Sequence, residues 1–310
     1  MDVMEVVDLE TDTVEVPEHV MKSSAEVRHR VRALKKLQLD ALQLQVQFYN
    51  KVNEMEAEFA KCANAIHAKR AAIVNGQYEP TAEEASLPLL HVLDKDALVE
   101  YEREWDNTNP NKGETGVPRF WLNTLMGSAT FVDMIQERDE PVLEHLVDIS
   151  YSVDTSPQAF TLIFKFSPNN GYFTNTEVMK RYETSTALDD KDPFNYEGPY
   201  WVSVTSTDIN WLPGKDVTKD STGDLQESFF NFFKVNGRRD QNLPPLAMEE
   251  LEQDYELGQL ICDEIIPRAV LYYTGEVNGD DDSDFECDEE EDTEDEDSNS
   301  GDASNEEMDE

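Results

Sequence analysis

Carboxylates are the reactive groups in which this sequence is rich. Asp139, Glu140 and Glu144 surround Pro141, and Asp189, Asp190 and Asp192 precede Pro193. A denser set, Asp280, Asp281, Asp282, Glu289, Glu290 and Glu291, lies in the stretch 280–310, which holds 19 of the 68 acidic residues and none of the 25 Lys and Arg. Net charge is −43, of which −24 remains on residues 1–279. Such groups repel nucleic acid and anionic membranes and attract cationic partners over a Debye length of roughly 8 Å. The chemistry they point to is the holding of a strongly basic polypeptide.

Catalytic chemistry finds little support. There is no Walker-type glycine loop and no Gly-x-Ser-x-Gly elbow. The histidines (His19, His29, His67, His91, His145) have no metal-ligand spacing with Cys or carboxylate. Phe285 stands where a calcium loop beginning at Asp280 needs Gly. The expectation is a non-enzyme without metal or cofactor. Cys62, Cys262 and Cys287 are distant and odd in number, which fits a reducing compartment better than a disulfide framework. No secretory leader is read at the N-terminus, and no stretch approaches the ~20 apolar residues of a membrane span.

The elements that position these charges divide the chain. Residues 1–25 are acidic, poor in aromatics and expected to be disordered. Residues 26–78 contain a helix from about Val27 to Ile73, almost free of Gly and Pro. Its apolar residues Leu37, Leu44, Phe48, Val52, Met55, Phe59, Cys62 and Ile66 fall at helical spacing and draw one stripe. About 38 residues at 1.5 Å each span ~57 Å, longer than a compact domain can cover, so the stripe calls for a second copy of the helix and a homodimer. Leu34, Leu37, Leu39, Leu42 and Leu44 also have the spacing of a leucine-rich export signal. Residues 79–118 read as a linker with one helix near Lys95–Glu104 and a loop from Asp106 to Gly116.

Residues 119–276 read as α+β. Helices are expected after Pro118 and over Phe131–Glu137. Period-two alternation marks a strand at Phe160–Ser167, with further strands at Val178–Tyr182 and Tyr200–Ile209; the short connections make the sheet antiparallel. Helix returns at Ser228–Lys234 and from about Pro245 to Ile265, covering one face of the sheet. Residues 277–310 form the acidic tail, expected to be disordered, in which Ser283 and Ser304 carry acid at +3 and suit an acidophilic kinase.

Five ordered landmarks carry a resemblance. They are Gly116-Val-Pro-Arg-Phe-Trp-Leu122, Glu137-Arg-Asp-Glu-Pro141, Phe164-Lys-Phe-Ser-Pro-Asn-Asn-Gly-Tyr-Phe-Thr-Asn175, Ser228-Phe-Phe-Asn-Phe-Phe233, and the longest, Asp254 to Glu276 with its Ile265-Ile-Pro-Arg-Ala-Val-Leu-Tyr-Tyr-Thr-Gly275. Over about residues 26–310 the chain resembles the nucleosome assembly protein family, in its main branch. The resemblance implies a histone chaperone: a homodimer on a long antiparallel helix pair, with an earmuff-type α/β domain per subunit, binding core histones. It leaves higher oligomers open and implies modification of glutamates near Glu289–Glu291. Function is then ATP-independent, preventing non-specific histone–DNA contacts and promoting nucleosome assembly and disassembly, without specific nucleic-acid or membrane binding. The interval Asn210–Glu227, where many members carry a lysine-rich import signal, is short and has only Lys215 and Lys219. Shuttling between cytoplasm and nucleus is expected, by an import route the sequence does not mark. The competing reading is an acidic dimeric scaffold or phosphatase-regulating adaptor on the same fold.

Overall fold

The computed structural model describes residues 16–91, 93–109, 113–239 and 243–277. Its dominant element is helix α2, Ala25–Val74, which follows a short helix α1, Glu18–Met21. Ser24 caps α2 by accepting from the Val27 amide at 3.3 Å, and Glu26 in the first turn complements the helix dipole. Neither Gly nor Pro interrupts its 50 residues, which span about 75 Å. Gly76 ends it at φ 64°, packed so closely on Thr115 and Gly116 that a Cβ would collide with them. α1 departs from the expectation of disorder through residue 25: the Pro17 carbonyl accepts from the Val20 and Met21 amides, and Lys22 pairs with Glu18. Residues 1–15 lie outside the described part.

Only one face of α2 is covered by the described residues. Leu42, Ala57, Ala60 and Ala63 are its buried residues, and the three alanines let its backbone approach the sheet. Side-chain bonds tie this face down along its length, from Asn50, which accepts from Gln158 (2.8 Å) and Thr186 (2.7 Å), to the helix end. Asn64 donates to the Tyr151 carbonyl (3.2 Å) and Asn75 to the Val147 carbonyl (3.1 Å). Arg70 donates to the Ile266 carbonyl while its guanidinium lies 4.9 Å from the Trp121 ring centre.

The sheet is an antiparallel meander, β1 to β5 in order: Leu146–Thr155, Gln158–Phe166, Glu177–Ser185, Tyr200–Ser206 and Gly237–Arg238. β1 was not expected. A register shift between Leu146 and Asp148 breaks its period of two, and Asp, Ser and Thr separate its apolar residues. β4 ends at Ser206, three residues before the expected Ile209. β2 buries Leu162, Phe164 and Phe166 on one face as the alternation requires.

Helices cover that face. α4, Phe120–Met126, and α5, Ala129–Met134, are followed by α6, Glu140–Leu143, in a stretch not read as helical. Between the long helix and these, α3, Lys95–Thr108, runs three residues into the segment expected to be loop. The 3-10 helix Phe229–Lys234 lays four phenylalanines on the sheet, with Phe233 edge-on to Phe164 at 5.0 Å and Phe230 edge-on to Trp211 at 5.3 Å. Helix α7, Pro245–Leu260, continues through a π-turn, Ile261–Ile265, to α8, Ala269–Thr274.

A buried ion pair locks α7 to the sheet. Lys180 on β3 is fully buried and Asp254 on α7 is 3% exposed. The Lys180 ammonium donates to Asp254 Oδ1 and to the Phe232 carbonyl, and sits 4.0 Å from the Phe232 ring centre. The Tyr182 hydroxyl donates to the Asp254 carbonyl at 3.0 Å, and Gly258 leaves room for the Tyr182 ring, which a Cβ would meet at 2.5 Å. Burial opposes both charges: it pulls Lys180 down to about 8 and pushes Asp254 up to about 6, each partner resisting the other's shift. Removing one partner strands the other charge. Lys180→Met or Asp254→Leu alone is therefore expected to cost about 3–5 kcal/mol, and the double substitution less than the sum of the two. Urea unfolding at one fixed protein concentration checks this; additive losses would contradict it.

Candidate functional site

The sheet and its connections sort the expected carboxylates into different roles. Asp139 corrects its assignment to a binding face. It is completely buried and accepts from Ser228 Oγ (2.7 Å), the Phe229 amide (2.8 Å) and the Gln136 amide (3.1 Å). It fastens the phenylalanine turn to the segment before α6 and offers nothing to a partner. Glu140 and Glu144 share one guanidinium: Arg119 Nη2 lies 2.9 Å from Glu140 and Nε 3.3 Å from Glu144. These two carboxylates and one cation leave a single net negative charge at the surface.

Asp189, Asp190 and Asp192 are exposed, in the connection from β3 to β4. Asp189 accepts from the Lys191 amide at 2.8 Å, and no ion pair is found for the three among the described residues. The loop leans on α2. Lys35 stands 4.7 Å over the Phe194 ring, and Gly198 lies beside Tyr49, whose hydroxyl a Cβ there would meet at 3.4 Å. A second free acidic set went unnoticed in the sequence. Glu249, Glu250 and Glu252 are exposed on α7, and Glu256 one turn on is held above the usual carboxylate range by partial burial and then by Glu252. Its signal was present as helical spacing of acid, hidden inside a stretch read for its apolar residues. Asp280, Asp281, Asp282, Glu289, Glu290 and Glu291, with Ser283 and Ser304, lie outside the described residues.

The apolar stripe of α2 is exposed along its length. Leu37 (63%), Leu44 (66%), Phe48 (61%), Met55 (70%), Phe59 (65%) and Ile66 (73%) face outward, Cys62 is exposed and Val52 half-buried. Val27, Val31 and Leu34, also exposed, extend the stripe by three turns toward the N-terminus. Scattered apolar side chains on a surface need no explanation, but a continuous stripe does. The export-type leucines do not share one face. Leu34, Leu37 and Leu44 point outward, Leu39 is half-buried and Leu42 packs inward. No described helix is long and apolar enough to cross a membrane.

Comparison with known proteins agrees with this architecture. The family model for nucleosome assembly protein matches residues 29–276. Nucleosome assembly protein 1-like 1 of Xenopus tropicalis is 35% identical over 291 residues, covering 84% of this chain and 72% of that one. The human protein of the same name is 34% identical over 296 residues, covering 88% and 75%. Among solved structures, nucleosome assembly protein 1 from Plasmodium knowlesi shares the fold with TM-score 0.54 at 22% identity, over 82% of this chain and 99% of that one. A malaria parasite nucleosome assembly protein does so with TM-score 0.52 at 21% identity, over 83% and 100%. With the matched segment running from the long helix to the end of α8, the chain belongs to the nucleosome assembly protein family.

Proposed function

We propose that this protein is an ATP-independent histone chaperone, active as a homodimer and moving between cytoplasm and nucleus. Family membership carries the histone reading. The unpartnered stripe on α2 supports the dimer, since covering each large apolar side chain contributes about 1.5–3 kcal/mol.

Charge and spacing together favour an antiparallel helix pair. The N-terminal part of α2 holds Arg28, Arg30, Arg32, Lys35 and Lys36, and beyond its midpoint a short acidic run, Glu54, Glu56 and Glu58, lies between Lys51 and Lys61. A parallel pair stacks each basic N-terminal cluster on its copy; an antiparallel pair brings Lys35 and Lys36 beside the acidic run Glu54–Glu58 of the other helix. Full overlap of the stripe from Val27 to Ile66 then matches Val27 with Ile66, Val31 with Cys62, Leu34 with Phe59 and Ala41 with Val52.

The acid surfaces do the work on the partner. Free histones bind DNA indiscriminately through Lys and Arg. Exposed carboxylates of the β3–β4 loop and α7, assisted by the tail, screen those cations and compete with loose histone–DNA complexes, but not with the nucleosome. No nucleotide is consumed, because the chaperone only removes competing complexes on the way to the more stable product.

Histone-dimer binding is expected to weaken steeply between low salt and ~0.5 M salt, where the Debye length falls below roughly 5 Å. An equally basic control protein should bind less well at physiological salt; equal binding leaves a charge sink, and failure to supercoil a relaxed plasmid with histones leaves a scaffold. Deleting residues 280–310 is expected to lower affinity or stoichiometry while leaving the circular-dichroism unfolding transition in place.

The helix register has its own test. In a background carrying Cys287→Ser, Val31→Cys should give a covalent dimer with a short bis-maleimide through Cys62. Cys62 alone should not, because antiparallel overlap separates the two copies by about 47 Å. A Cys62–Cys62 product would overturn the antiparallel arrangement.

A further inference from the structure

A cavity of about 410 Å³ opens between α2, the β1–β3 end of the sheet and the turn from α7 to α8. Its walls include the rings of Tyr49, Tyr151, Phe160 and Tyr255, with Glu56 of α2 and Asp263 of the π-turn, and it borders the proposed dimer seam through Val52 and Phe59. Both carboxylates are exposed at its rim. No Lys or Arg is among its lining residues. Asn53 Oδ1, buried in its wall, accepts no hydrogen bond from the described residues.

This combination has a specific chemical complement. Aromatic faces attract a cation through their quadrupoles, and a guanidinium adds flat stacking and several donors for separate acceptors. An ammonium presents a compact, strongly hydrated charge and gains less from ring faces. The local field is negative enough to act on the cavity's own groups. Burial, and after it Asp263 and Glu56, pushes Tyr255 up to about 12. Burial, then Glu56 and Glu264, holds Asp263 above the usual carboxylate range. Glu264 itself is engaged with Arg268 at 2.7 Å, so it offers less to an incoming cation.

We propose that this cavity seats an arginine side chain of the bound basic polypeptide, its guanidinium among the tyrosine rings and held by Glu56, Asp263 and Asn53 Oδ1. This rests on the reading of the protein as a carrier of basic chains, and adds to diffuse charge attraction a site that distinguishes arginine from lysine. It also gives the two halves of the molecule one shared ligand, since Glu56 and Asn53 come from the dimerisation helix and Asp263 from the C-terminal turn.

The test uses the full-length protein at physiological salt, with nona-arginine and nona-lysine as probes of equal charge, and isothermal calorimetry for affinity. The wild type should prefer nona-arginine by about threefold or more. Glu56→Gln/Asp263→Asn should abolish that preference. Asp189→Asn/Asp190→Asn, which removes the same charge from the exposed loop, should weaken both peptides equally and keep the ratio. A wild type without preference, or a preference that survives Glu56→Gln/Asp263→Asn, overturns the proposal. So does a pair of substitutions that weakens the dimer in sedimentation without altering the ratio, for then the partner's helix occupies the cavity. Loss of histone selectivity over a basic control protein, with the arginine preference intact, would instead count against the chaperone reading.

Discussion

Everything in this molecule is arranged around a helix with two faces to satisfy and only one domain to satisfy them. α2 rises through about 75 Å, far beyond the ~16 Å radius of gyration of a compact 200-residue domain. Its alanine face rests on β1 and is held by Asn64, Asn75 and Arg70. Its large-residue face, from Val27 to Ile66, is not covered by the described residues. Exposure on that scale is costly, and a second copy of the helix, as proposed, would relieve it. The proposed dimer thus rests on the length of one element, against which the α/β domain packs on a single face.

Carboxylates in a chain this acidic are not one population. Asp139 and Asp254 are interior groups that accept hydrogen bonds or a buried cation. They join segments far apart in sequence, the phenylalanine turn in one case and α7 in the other. Glu140 and Glu144 are tied to Arg119. Among the described residues of these sets, the carboxylates of the β3–β4 loop and the outer side of α7 are the exposed ones without an ion pair. Interior carboxylates tolerate burial because each has partners to replace water; surface ones gain nothing from fixed geometry and stay available. The aromatic cavity lies between these classes, its two acids at a rim where they remain solvated and yet act on buried tyrosines.

Much of the fold was legible because its signals are local. Helical spacing of apolar residues and the lack of Gly and Pro over fifty residues determine α2 and its stripe. Period-two alternation determines β2, whose Leu162, Phe164 and Phe166 are buried as expected. β1 escaped because a register shift next to Asp148 breaks its alternation. α6 escaped because a single turn of helix after Asp139 is shorter than any period can reveal.

The sequence by itself determined the charge, the long helix, the order of the landmarks and hence the family. Those depend on composition and on spacing along the chain. Only the tertiary structure decided which acids are free. Asp139 is withdrawn because Ser228 and Phe229 arrive from about ninety residues away to occupy it, and Leu42 turns inward while Leu37 and Leu44 do not. Glu56 and Asp263 become neighbours across one cavity because the C-terminal turn folds back onto the long helix. Burial and proximity are properties of contacts between distant segments, and no periodicity within a segment encodes them.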